Sequence, residues 1–220
     1  MFPNNWFGTH DQDVWLYRMK NPSRSVEKLA LAEILPLLSK HGYSYHCVRS
    51  WHDSVIEGTG VLLFDRRHRK IYINKSQRAD NLLEEFCRVL GYEAVVFQAT
   101  SKTGSPFYHT NVMLSICDDY AVVFSYSIDE KNRGKVMDSL AKKKDRTIIE
   151  VNADQTEKSF CANILQLQGR DGPVIAMSQR AHDGFTQKQR EQLSKHSKFA
   201  IFPLDVIETV GGGSARCMLA

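Results

Sequence analysis

The sequence predicts an α/β protein assembled by repeating one strand–strand–helix–strand unit. Three observations carry that prediction. Short β-rich runs recur in pairs, a stretch of helical periodicity follows each pair, and a further apolar run closes each cycle. The cycle returns about four times along the chain, at a spacing of roughly 45–50 residues. The chain of 220 residues is long enough to bury a sizeable core, and a single domain over residues 1–220 is expected.

The elements follow in order. Val14 to Met19 reads as a strand, Ser25 to Lys40 as an amphipathic helix and Tyr43 to Arg49 as the closing strand. The second cycle has strands at Gly60 to Asp65 and Lys70 to Asn74, joined by the polar turn "DRRHRK". A helix over Asn81 to Leu90 stops at Gly91, ahead of the strand Glu93 to Ala99. The third has Val112 to Cys117 and Tyr120 to Ser127, a helix over Lys131 to Lys143, and the strand Arg146 to Val151. The last has Ile164 to Leu167, Val174 to Ser178, a helix over Thr186 to His196, and Phe199 to Pro203.

Composition narrows the function classes. Hydrophobic content of 42% and charged content of 25% are those of a folded chain rather than a disordered one. The net charge of +4 is mild. Its densest cluster, Lys142 to Lys144 with Arg146, ends a predicted helix, where cations favour the dipole and solvent. No aromatic residues interleave with the basic ones, so no nucleic-acid partner is expected. No apolar run is long enough to span a bilayer, and no membrane partner is expected. Residues 1–5 show no charged leader, and the chain is read as cytoplasmic. The five cysteines lack CxxC or Cys/His metal spacing, so neither a metal site nor a cofactor is expected.

Polar segments separate the cycles: "SWHDSVIEGTG", "QATSKTGSPFYHTN", "NADQTEKSFCAN" and "ETVGGGSARC". Functional groups collect on such loops when a rigid scaffold holds them. Cys217 differs from the other cysteines because glycines and Arg216 lead into it. Backbone amides and a positive charge there favour a thiolate, although the tail taken alone reads more readily as a frayed end with a chance cysteine. His109 opens an apolar strand in "PFYHTNVML", where it suits a turn or a core position as well as an acid–base role. Glu57, taken singly, is a surface carboxylate. Together the three supply a nucleophile, a general acid/base and an orienting carboxylate.

Four motifs, "FPNNW" at 2–6, "EGTG" at 57–60, "HTNVML" at 109–114 and "GGGSARCM" at 211–218, give the chain its resemblance to a family. In this order they resemble the pentein superfamily of guanidine-modifying enzymes, closest to its amidinotransferase-like, citrulline-hydrolysing branch. The resemblance implies a pentein-type α/β propeller of ββαβ units around a central pocket. It also implies a unit before residue 1 and a strand after residue 220, so this propeller of about four units is expected to be truncated or incomplete.

Carried onto this sequence, the resemblance makes Cys217 the nucleophile, His109 the group that protonates the leaving amine, and Glu57 the orienting carboxylate. Arg78 in "KSQRAD" resembles the family's binder of the substrate α-carboxylate. Arginine-processing relatives carry aspartates where Asn5 and Asn111 stand here. An amide has an acceptor oxygen and N–H donors but no charge, so the pair favours a neutral ureido group over a guanidinium. Citrulline is the leading substrate, a small amino acid, with cleavage through a covalent thiol intermediate. The alternative is a pentein that modifies a protein partner or binds one without catalysis. Unpaired edge strands would further invite homo-oligomers.

Overall fold

The computed structural model describes residues 2–44, 47–50, 55–76, 83–141 and 145–220. These form four three-stranded sheets, each built the same way. Two strands make an antiparallel hairpin, and a third joins the second in parallel. A parallel pairing needs a crossover, and a helical connection supplies it in every unit. The repeated ββαβ pattern is therefore a property of the structure as well as of the sequence.

In the first unit β1 (Phe7–His10) pairs with β2 (Asp13–Leu16), and β3 (Cys47–Ser50) lies parallel to β2. The sequence predicts no strand at β1. Its short "FGTH" run carries little β-periodicity, and the hairpin depends on Asp11 taking a left-handed conformation at φ 50°. The helix expected over Ser25 to Lys40 is divided. Residues Pro22–Ala30 form tight 3₁₀ turns and only α1 (Leu31–Lys40) is α-helical. Asn21 caps the 3₁₀ stretch by accepting from the Ser23 N–H at 3.0 Å.

The second unit runs α2 (Gly58–Val61), β4 (Leu63–Asp65), β5 (Lys70–Asn74), α3 (Leu83–Val89) and β6 (Glu93–Phe97). The strand expected from Gly60 starts later because "GTGV" forms a helical turn. The third contains β7 (Leu114–Ile116), β8 (Tyr120–Val123), α4 (Glu130–Ala141) and β9 (Thr147–Glu150). Both strands of its hairpin are shorter than expected, because 3₁₀ turns take Thr110–Val112 and Ser125–Ser127.

The fourth unit opens with α5 (Ala153–Glu157), then β10 (Leu165–Gly169), β11 (Gly172–Ser178), α6 (Gln179–Gly184), α7 (Gln187–Ser194), β12 (Lys198–Phe202) and α8 (Asp205–Gly211). Capping boxes start α5 (Asn152 with Gln155) and α7 (Thr186 with Gln189). Helix α8 is absent from the sequence prediction, which reads its residues as a loop.

The cores straddle the units. One cluster joins Tyr72 and Phe97 to Tyr120, Ile149, Ile175 and Phe185, and a second joins Trp15 and Tyr17 to Ile71 and Phe86. The first strand of each unit borders one shared cavity of about 350 Å³, lined by Gly8, Leu63, Ser115 and Leu165 among others. That common lining is what an array of units around an axis requires. Across it Arg146 makes a bidentate bond to Asp65, at 2.8 and 3.1 Å, with both side chains 1% exposed. Among the described residues no helix is long and apolar enough to cross a membrane.

Candidate active site

The predicted catalytic residues lie on turns that end or precede the sheets. Glu57 immediately precedes α2 and is fully buried. One of its oxygens accepts from the Lys20 N–H at 3.0 Å, and the other meets His109 Nε2 at 2.7 Å. A carboxylate accepts but does not donate, so this bond puts a proton on Nε2 and leaves Nδ1 as the second ring nitrogen.

The His109 segment is held by its neighbours. Thr110 Oγ1 donates to the Val61 carbonyl at 2.7 Å and accepts from the Asn74 N–H at 2.9 Å. Asn74 also donates to the Phe107 carbonyl at 2.7 Å, and its own oxygen accepts from the Ala99 N–H. The buried Asn74 thus clamps both ends of the loop that delivers His109.

Asn5 sits in the N-terminal 3₁₀ turn Pro3–Asn5. Its oxygen accepts from Arg24 Nη1 at 3.1 Å, while Arg24 also donates to the Phe2 carbonyl and pairs with Glu27. That anchoring turns the Asn5 Nδ2 the other way, where it has no hydrogen-bond partner among the described residues. A Cβ placed on Gly60 would stand 2.6 Å from this Nδ2 and 3.0 Å from His109 Nδ1. Only a glycine fits between the two groups.

Cys217 lies in the 3₁₀ turn Ala215–Met218 and is 3% exposed. Its sulfur accepts from Asn163 Nδ2 at 3.3 Å and from Asn111 Nδ2 at 3.5 Å. Burial pushes the thiol above its ordinary pKa, against the Asn163 bond, the Ser214 backbone contact, the Arg216 charge and the Asn111 bond. Space beside the sulfur is tight at Gly213 as well, where a Cβ would stand 3.0 Å from Phe2 and 3.2 Å from Cys217 Sγ. The Asn111 oxygen has no partner among the described residues.

The structure therefore brings Glu57 to His109, Asn111 to Cys217, and Asn5 to the Gly60 side of His109. Arg78, read as the substrate-carboxylate binder, lies outside the described residues. Sequence reasoning passed over Asn163, although its segment "NADQTEKSFCAN" was singled out. Its signal is a fully buried asparagine closing a polar stretch just before the apolar run that leads into β10. Among the described residues no cluster of His, Cys, Asp and Glu is arranged to hold a metal ion.

Four ββαβ sheets arrayed about a shared cavity, with these turns on them, place the chain in the pentein class. Within that class the chain belongs to the family described as N,N dimethylarginine dimethylhydrolase, eukaryotic, whose model matches residues 1–220. Solved structures agree on the fold. ArgZ, an arginine dihydrolase from the ornithine-ammonia cycle in cyanobacteria, superposes with a TM-score of 0.74 at 18% identity. That match covers 99% of this chain and 32% of ArgZ, so the chain spans about a third of that relative's length. AgrE in its ternary complex with ornithine and NAD+ gives 0.75 at 17% identity, over 99% and 29% of the two chains. A dimethylarginine dimethylaminohydrolase adduct gives 0.66 at 14% identity, over 99% and 76%. A search of curated proteins gave no match.

Proposed function

We propose that the protein hydrolyses a ureido C–N bond of a citrulline-like amino acid, using Cys217 as nucleophile, His109 as acid–base and Glu57 to hold the imidazole. The observation that carries the substrate class is the orientation of two buried amides. Asn5 is anchored through its oxygen and offers N–H donors, whereas Asn111 is engaged through its nitrogen and offers an oxygen. A ureido group has one carbonyl oxygen to accept and an NH₂ to donate, which is the complementary set. A guanidinium carries only donors and a positive charge, and it would meet the Asn5 N–H groups donor to donor.

The chemistry balances without a cofactor. The Cys217 sulfur attacks the ureido carbon and its proton passes to the second ring nitrogen of His109. His109 then gives that proton to the departing amine, leaving an S-carbamoyl cysteine, a thiocarbamate, on the enzyme. Water activated by His109 then adds to that carbon, the C–S bond breaks, and carbamic acid falls apart to carbon dioxide and ammonia. Ornithine is the product when citrulline is the substrate. The family carries dimethylarginine in its description, so the decisive experiment offers citrulline, arginine and dimethylarginine in parallel. Ornithine formation from citrulline is expected; turnover of arginine or dimethylarginine with citrulline inert overturns the ureido reading.

A further inference from the structure

We propose that Asn163 is a catalytic residue in this site, its side-chain amide stabilising the negative charge that forms on the Cys217 sulfur as its proton leaves and aiming that sulfur along one direction. The inference rests on reading Cys217 as the nucleophile and is independent of which substrate is cleaved. Asn163 is fully buried and touches the cysteine turn at three points. Nδ2 donates to Cys217 Sγ at 3.3 Å, Oδ1 accepts from the Ser214 N–H at 3.2 Å, and the Asn163 carbonyl accepts from the Arg216 N–H at 3.3 Å. A fourth bond, Nδ2 to the Asn111 carbonyl at 2.8 Å, ties this turn to the segment that carries His109.

The bonding leaves the amide no second orientation. Turned over, it would set its oxygen against the Asn111 carbonyl and its NH₂ against the Ser214 N–H, losing both bonds. Nδ2 is consequently fixed as a donor toward sulfur. A donor in a buried setting favours a developing negative charge far more than a neutral thiol, because burial otherwise penalises the thiolate. Four other groups belong to the segments around the sulfur. Arg216 is its chain neighbour, and Asn111 adds a longer donor. Glu208 stands behind Ser214, accepting from its hydroxyl at 2.6 Å while pairing with Arg180. His109 is two residues from Asn111. Asn163 makes the shorter of the two side-chain bonds to sulfur, and of these two donors only Asn163 also bonds the backbone of the turn that carries the cysteine.

The test reads thiolate formation without any substrate, through the pH dependence of Cys217 alkylation by iodoacetamide, with modified peptides identified by mass spectrometry. Asn163→Asp keeps the shape and the Ser214 bond but turns a carboxylate oxygen toward sulfur. Asn163→Ala removes both side-chain bonds and leaves a void. A purely structural role would make the alanine variant the worse of the two. A thiolate-holding role makes the aspartate variant worse. The alkylation rate near neutral pH is expected to fall about tenfold in Asn163→Ala and about a hundredfold in Asn163→Asp, each profile moving to higher pH. Native-like profiles in both variants, or a larger shift for alanine, overturn the proposal. If Asn163→Asp does not fold by circular dichroism, the alanine profile decides alone, and an unshifted profile overturns it. Turnover retained in Cys217→Ala would instead overturn the nucleophile assignment itself.

Discussion

At the scale of single residues, the Glu57–His109 bond is the most demanding contact in the site, because both side chains are 5% exposed or less. Glu57→Gln keeps the volume and an oxygen for the Lys20 N–H but sets an NH₂ against His109 Nε2–H. The ring must then change tautomer or turn. We expect kcat on citrulline to fall by about 10²–10⁴-fold with a much smaller change in KM, checked by steady-state kinetics. Cys217→Ser should leave the melting temperature near that of the native protein and abolish turnover; measurable activity in that variant would refute the nucleophile. Gly60→Ala would drive a methyl between Asn5 and His109, and a kcat loss with intact secondary structure is the expected result. Most of these residues were legible in the sequence because their motifs are local: "EGTG", "HTN" and "GGGSARC" each put a reactive group beside small or polar residues. Asn163 was not, since everything that makes it notable comes from partners 51 to 54 residues away along the chain, apart from its own backbone.

At the scale of elements, the periodic parts were readable and the short ones were not. Strands β5, β6, β9 and β11 have runs of apolar residues that announce themselves. In contrast β1, α5, α6 and α8 span 4 to 7 residues each, too few for a period of two or 3.6 to emerge above composition. The capping box at Asn152 was the one local signal for α5. Besides the Asn111–Cys217 bond, the site's two segments are joined by the Tyr108 hydroxyl, which donates to the Gly212 carbonyl at 2.5 Å. Gly212 caps α8 in a left-handed conformation and begins the turn toward Cys217. Tyr108→Phe removes that bond, worth about 1 kcal/mol. Faster amide hydrogen exchange over residues 212–217, with the rest of the molecule unaltered, is the expected outcome. Unchanged exchange there would show the turn is held from the Asn163 side alone.

At the scale of the whole molecule, the units are locked by apolar clusters that cross from one sheet to the next and by one buried ion pair. Burial alone would raise the Asp65 pKa, but the Arg146 and His68 bonds outweigh it and hold the carboxyl below its ordinary range. A depressed native pKa contributes stability in full above the unfolded value, and that contribution is lost as pH falls through the native one. Arg146→Met should therefore cost about 3–5 kcal/mol at pH 7 in urea unfolding, and the gap from native should narrow on acidification. A gap independent of pH would show that packing, not charge, carries the effect. One last feature concerns time rather than energy. The N-terminal turn that carries Asn5 packs against the turn that carries Cys217, with Phe2 pressed on Gly213. The reactive centre is thus closed between two turns that lie far apart along the chain. Contacts of such wide sequence separation form late, so the site is completed only when the units between the two turns have largely folded.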